Sequence, residues 1–218
     1  MMPLGDDNSM RRITPVVTYV LIALNVLVFF MELNSGEAFI QQWAFVPSRF
    51  LADPAGDFLT LFTSMFMHAG WLHLLGNMLY LWIFGDNVED RLGHGMFLVF
   101  YILCGLGATF AQMAVNPDSS IPNLGASGAI AGALGAYLVM FPRGRVNVLV
   151  GRAIVAMPAL IVIGFWILVQ ILSGIDTFTT STQTEGGGVA YLAHIGGFVA
   201  GVVLTYLLGG TRRALPMR

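Results

Sequence analysis

The chain has 218 residues, 56% of them hydrophobic and only 10% charged, with a mean hydropathy of +0.77. A soluble domain carries roughly a quarter charged residues, so the composition excludes an ordinary soluble enzyme and indicates an integral membrane protein. The net charge of −2 says nothing about nucleic acid, but the basic residues form no binding stripe and no nucleic-acid partner is expected; the single cysteine, Cys104, excludes an internal disulfide and a cysteine-built metal centre.

Asp6 and Asp7 precede Arg11 and Arg12, and the first apolar run covers about 14–33. It continues through Met31-Glu32-Leu33-Asn34 without a small-residue cleavage site, so a retained span is expected rather than a signal peptide. Further runs cover about 60–84, 94–115, 127–141, 152–173 and 189–209. Most approach the ~20 residues that cross a bilayer. The expected fold is all-α, a polytopic six-transmembrane-helix bundle with a short fourth helix. Tails at 1–13 and 211–218 flank a membrane domain over 14–210. No internal repeat suggests a transporter.

All ten basic residues are arginine, and in a six-span arrangement only Arg49 falls on the outer side. Arg11, Arg12, Arg91, Arg143, Arg145, Arg152, Arg212, Arg213 and Arg218 share the other side. By the positive-inside rule both termini are then cytoplasmic. The first outer loop, 34–59, carries Phe39, Trp43, Phe45 and Phe50. It is expected either as a partly helical segment lying in the membrane interface or as a loop folded onto the bundle.

Polar residues within spans are costly and are functional candidates by default. Span 2 carries His68, His73 and Asn77, span 4 begins at Ser127, and span 6 carries His194. Gln112, Gln170 and Asn25 are expected as hydrogen-bonding residues between helices, and His68 as a brace at the outer end of span 2. Counted from the arginine that closes each hairpin, Ser127 lies ~24 Å and His194 ~27 Å along its helix, with Asn77 and His73 at ~21 and ~27 Å. Against a hydrocarbon core of ~30 Å, all four reach one level below the outer surface. Span 4 is short at its outer end, so the polar stretch 116–123 must descend to meet it. Non-helical backbone at that depth is tolerated where it lines a cavity, which implies a wet hollow floored by Ser127.

A serine in a glycine-rich helix is, by itself, most simply a packing residue, and a lone membrane histidine is most simply structural. Their surroundings point further. Gly125, Gly128 and Gly132 accompany Ser127, while Gly197 and Gly201 follow His194 at four-residue spacing. Such small-residue faces let two helices approach closely and bring an imidazole to a hydroxyl at a helix N-terminus. His73 and Asn77 share a helix face at i and i+4, where both can donate to an oxyanion alongside backbone N–H groups. All twelve acidic residues lie at span ends or in loops. That leaves a Ser-His dyad without a carboxylate, and excludes an aspartyl protease and a zinc protease of the His-Glu-x-x-His type. No metal or cofactor is called for.

These residues resemble the motifs of the rhomboid intramembrane serine proteases. Gly125-Ala126-Ser127-Gly128 is similar to the family's nucleophile motif. The stretch from Ala193-His194 to Gly201 is similar to its last-helix motif, His73-Leu74-Leu75-Gly76-Asn77 to its His-x-x-x-Asn motif, and Glu89-Asp90-Arg91-Leu92-Gly93 to its loop signature. The resemblance covers about 14–210 and implies a bacterial inner-membrane endopeptidase whose site opens to the outer side. Ser127 would be the nucleophile and His194 the general base, with His73, Asn77 and the Ser127 N–H stabilising the oxyanion. Substrates would be single-span membrane proteins arriving laterally near span 5 and the loop after it. The chief alternative is an inactive rhomboid-like protein that escorts membrane clients; a channel or transporter ranks last.

Two positions depart from the family pattern. Leu59-Thr60 stands where many members carry a Trp-Arg pair, which leaves the anchoring of the first outer loop open. Ala131 stands where some members carry an aromatic residue that stacks on the catalytic histidine. Some other group must orient His194, for which a backbone or water contact is the expectation.

Overall fold

The structure, a computed structural model, describes residues 2–9, 11–179 and 190–210, without side chains over 176–179. Arg212, Arg213 and Arg218, the tail over 211–218 and the loop following span 5 lie outside the described residues.

Proline and glycine punctuate the apolar runs. After a strand, β1 (Met2–Asp6), the helix α1 (Val16–Ser35) starts behind Pro15 and ends at Gly36, whose φ of 66° favours glycine. Two short helices follow, α2 (Glu37–Trp43) and α3 (Pro47–Ala52). A single turn, α4 (Thr60–Thr63), tightens into 3₁₀ geometry over Ser64–Phe66. Then α5 (Trp71–Tyr80), a π-helical turn over Leu81–Gly85 and α6 (Asp86–Leu92) form one continuous helix. Gly93 breaks it before α7 (His94–Val115). The short α8 (Ser127–Met140) comes next, then strands β2 (Arg145–Val150) and β3 (Ala153–Pro158), and finally α9 (Ala159–Thr179) and α10 (Tyr191–Leu207).

The expected all-α fold needs a correction: β1, β2 and β3 form an antiparallel sheet with β2 in the middle. β2 and β3 are a hairpin over a two-residue Gly151-Arg152 turn, with Gly151 at φ 62°. Val146 and Val148 alternate with exposed residues and are wholly buried against the helical core. Residues 2–6, expected within a tail, supply the third strand because β2 has a free edge for them. Residues 153–158 therefore pair as a strand instead of opening the fifth helix, which starts only after Pro158. The second run also shifts. Its helix spans Trp71–Leu92, and the apolar residues before it fold in irregularly, with Met65, Met67 and His68 buried.

Burial centres on α8. It carries no polar face, so it suits a position enclosed by other helices, and it packs chiefly against α7 and α10. Among the described residues two helices, Val16–Ser35 and His94–Val115, are long and apolar enough to cross a membrane; Ser127–Met140, Ala159–Ile175 and Tyr191–Leu207 are shorter apolar helices.

Carboxylates fasten the sheet end. α1 has no capping side chain of its own. Glu89 of α6, with 0% of its surface exposed, instead accepts hydrogen bonds from the Val17 and Thr18 N–H groups at 2.9 and 2.7 Å and from the Thr18 hydroxyl at 2.7 Å. A carboxylate at the positive end of a helix is favourable, and here it satisfies donors the helix leaves free. Asp90 accepts from the Arg12 and Ile13 N–H groups. Arg91 donates to the Met140 carbonyl at the end of α8 at 3.5 Å and lies over the Phe141 ring.

At the other end the segment 34–59 folds onto the bundle, as the second of the two expectations has it. It is partly helical, and its centre, Ala44-Phe45-Val46, is buried, with a backbone bridge between Phe45 and Asn123. Arg49 secures it by donating to Asp57 at 2.7 Å and to the carbonyls of Gln41 and Ala44. That cluster supplies an anchor where the Trp-Arg pair is missing.

Candidate active site

Ser127 is the first residue of α8, behind Gly125 at φ 133°. Gly125 donates its N–H to the Ser64 carbonyl at 2.9 Å. A Cβ there would come within 3.0–3.1 Å of the His73 ring and 3.4 Å of Ser127 Oγ, so conformation and crowding both demand glycine. His194 sits in the first turn of α10 and is 8% exposed. Its Nε2 lies 2.8 Å from Ser127 Oγ, within hydrogen-bond reach.

Glycines make that distance possible. A Cβ on Gly197 would overlap the Gly128 carbonyl, and one on Gly201 would overlap the Gly132 carbonyl. The glycines of α8 face both neighbours: a Cβ on Gly128 would overlap Ala108 and one on Gly132 would overlap Cys104, both on α7, while one on Gly135 would overlap the Phe198 carbonyl of α10. The small residues of α8 thus serve two neighbours, α7 and α10.

His73 and Asn77 project from one face of α5 into a cavity of about 210 Å³ that they share with Ser127 and His194. The Asn77 Nδ2 is buried and has no partner in the protein. His73 Nδ1 accepts from the Ala69 N–H at 3.4 Å, so Nε2 carries the proton of the neutral ring. Both are free donors beside Ser127. The cavity runs between α5, through Leu72, Gly76 and Tyr80, and α9, through Trp166. A smaller space of about 40 Å³ lies behind Ser127, between Ser64, Ala108 and Gly125, and is large enough for a water.

His68, expected as a brace, bonds through its backbone, and neither of its ring nitrogens has a hydrogen-bond partner among the described residues. It lies buried, its backbone N–H bonds the Glu32 carboxylate at 3.0 Å, and its ring meets that of His73 edge-on at 5.1 Å. The Asn25 amide donates to the Leu21 carbonyl of its own helix, and its side chain also reaches Tyr101 of α7.

Gln170 is the residue whose place the sequence did not reveal. Its Oε1 lies 2.7 Å from His194 Nδ1, and its Nε2 donates to the Trp166 carbonyl at 3.3 Å. The Trp166 ring lies against the His194 ring, with centroids 5.6 Å apart and planes at 37°. A side chain and an aromatic ring from α9, rather than a backbone or water contact, therefore hold the imidazole. The signal was present in the i, i+4 pair Trp166 and Gln170 within an apolar run, but nothing in the spacing says which helix that face meets. Among the described residues no three His, Cys, Asp or Glu side chains gather as a metal site.

A buried serine–imidazole pair among closely packed apolar helices, with an unpartnered donor alongside, defines the class: an apolar helical bundle with a polar site in its interior. The profile of the Rhomboid domain matches residues 55–211, and the chain belongs to the rhomboid family, whose members are integral membrane proteins. It is 33% identical over 197 residues to Rhomboid protease GluP of Bacillus subtilis, covering 89% of this chain and 35% of that protein. It is 32% identical over 130 residues to the Putative rhomboid protease YdcA of the same organism, covering 59% and 64%. With Rhomboid protein 1, mitochondrial, of Saccharomyces cerevisiae it shares 27% over 192 residues, covering 86% and 51%. The chain thus spans about a third to two thirds of the length of these relatives.

Proposed function

We propose that the protein is an intramembrane serine endopeptidase that hydrolyses peptide bonds in or near the transmembrane segment of single-span membrane proteins. The observation that carries this reading is the 2.8 Å contact between His194 Nε2 and Ser127 Oγ, placed beside two unpartnered donors. Ser127 Oγ attacks the scissile carbonyl carbon while its proton passes to His194 Nε2. The Asn77 amide, the His73 Nε2–H and the Ser127 N–H at the start of α8 receive the negative charge on the carbonyl oxygen. The C–N bond then breaks as His194 gives the proton to the leaving amine, and an acyl-serine remains. Water, deprotonated by His194, releases the acid and restores Ser127.

Six spans fit this reading: α1, the helix from α5 to α6, α7, α8, α9 and α10. α8 reaches only ~21 Å against a core of ~30 Å, so Ser127 would sit below the outer surface. Arg11, Arg91, Arg143, Arg145 and Arg152 lie at or beside the sheet end and Arg49 at the Ser127 end, which supports cytoplasmic termini in a bacterial inner membrane. The cavity between α5 and α9 supports lateral arrival of the substrate from the lipid.

The test is cleavage of a single-span reporter protein in membranes. Ser127→Ala is expected to abolish cleavage and leave the folded protein in the membrane, and a fluorophosphonate probe is expected to label the wild type but neither Ser127→Ala nor His194→Ala. Cleavage that survives Ser127→Ala would refute the assignment of the nucleophile, and a folded wild type that neither cleaves nor labels would leave the client-escorting alternative.

A further inference from the structure

An imidazole can take a proton from serine only if the nitrogen facing the hydroxyl is bare, so something must hold the ring's own proton on the other nitrogen. Serine hydrolases commonly use a carboxylate for this. Here the group within reach of His194 Nδ1 is the amide of Gln170, which could face the ring with either its oxygen or its NH₂. The two orientations have opposite consequences. An NH₂ would donate to a bare Nδ1 and leave the proton on Nε2, where it blocks the base.

The local structure settles the orientation. One turn earlier on α9, the Trp166 carbonyl stands 3.3 Å from the Gln170 amide nitrogen, and a carbonyl can only accept. The NH₂ therefore turns toward Trp166, and Oε1 turns toward His194, where it accepts from Nδ1–H at 2.7 Å. Nε2 is left bare, facing Ser127 Oγ. Trp166, on the same face of α9, covers the imidazole and limits rotation of its plane. Ala131 of α8, also buried, offers no ring to do so.

We infer that Gln170 is the positioning residue of this site, holding His194 in its Nδ1-protonated tautomer through an amide whose own direction is set by the Trp166 carbonyl. This rests on the reading of His194 as the general base. A neutral amide gives direction without placing a charge in an apolar surround, where an unpaired carboxylate would be costly. The imidazolium formed during proton transfer is steadied by a carbonyl dipole, as in sites that use an amide as third member.

The experiment uses the full chain in lipid nanodiscs, labelled with ¹⁵N-histidine, as wild type and as Gln170→Leu, Gln170→Met and Gln170→Glu, with His194→Ala to identify the signal. In the wild type His194 is expected to show a protonated Nδ1 and a bare Nε2. In Gln170→Leu and Gln170→Met the two nitrogens are expected to average between tautomers, kcat to fall about 100-fold and KM to change less than about threefold. Gln170→Glu, which keeps an acceptor, is expected to recover kcat to within about tenfold of wild type. Two apolar variants are used so that one folded protein suffices. The proposal is overturned if the folded apolar variant keeps Nδ1-protonated His194 or wild-type kcat, or if the Glu variant is no more active than the apolar one. The tautomer is read without any substrate, so its outcome stands apart from whether Ser127→Ala abolishes cleavage.

Discussion

The two ends of this bundle are assembled by opposite means. At the Ser127 end the helices around the site meet through absent side chains: Gly197 and Gly201 lie against the carbonyls of Gly128 and Gly132, and Ser127, His194 and Gln170 meet without a carboxylate among them. At the sheet end the helices meet through buried carboxylates, with Glu89 and Asp90 on the start of α1 and Asp86 paired to Arg11 at 2.7 Å. Close packing sets distances to a fraction of an ångström, which a nucleophile and base require. Charge-assisted hydrogen bonds are the stronger fastening, which suits an end whose task is to hold elements in register.

Substitutions can separate these two modes. Gly201→Val places three carbons where the Gly132 carbonyl lies, so α10 must move away from α8 and take His194 with it. Cleavage is expected to be lost altogether, together with about 3 kcal/mol of stability, read by the reporter assay and by thermal unfolding in detergent. Glu89→Ala removes the acceptor of two N–H groups and a hydroxyl in a buried site. It is expected to cost about 3 kcal/mol while kcat, measured where the protein is still folded, stays within a few fold of wild type. Asn77→Ala tests the reverse case. Its Nδ2 has no partner in the resting protein, so stability is expected to be unchanged while kcat falls about 100-fold. Should Glu89→Ala lower kcat as much as Asn77→Ala does, the two ends are not independent.

The ends also differ in how far they could be read beforehand. Ser127, His194, His73, Asn77 and the glycines around them were recognisable because polar residues and four-residue glycine spacing stand out in apolar runs, and the structure brings them together. Gln170 was noticed only as a hydrogen-bonding residue, since its partner depends on how α9 docks. At the sheet end the pattern was weaker. Val146 and Val148 alternate around a Gly-Arg turn, but Ile154, Val155 and Met157 run straight into α9, so hydropathy alone merges strand and helix. The pairing of residues 2–6 with β2 joins segments far apart in the chain and left no local mark. The part played by Glu89 was similarly hidden, because its motif lies in α6 and the donors it serves lie in α1.

The smallest effect concerns the link between the sheet and α8. The Asp6 carboxylate accepts from the Tyr137 hydroxyl at 2.7 Å and from the Asn87 amide at 2.6 Å; Asp86 and Asp7 are the charged groups beside it, Asn8 shares the Asn87 amide, and Arg11 pairs with Asp86. Burial, with a smaller contribution from Asp86, pushes its pKa from 3.8 up to about 7, against the lowering effect of the Tyr137 bond. A carboxyl whose pKa is raised on docking keeps its proton in the docked strand and gives it up in the detached one. Its contribution is therefore greatest below pH ~4, declines as pH rises to ~7, and is flat above that. Asp7, lowered by its bonds to Ser9, opposes it weakly at the surface. Amide exchange over Met2–Asp6, corrected for the intrinsic rate, is expected to be slower relative to that rate at pH 5.5 than at pH 7.5. Asp6→Asn keeps an acceptor for Tyr137 and is expected to remove most of that dependence. An unchanged pH dependence in Asp6→Asn would show that the proton-linked fastening of β1 does not lie in Asp6.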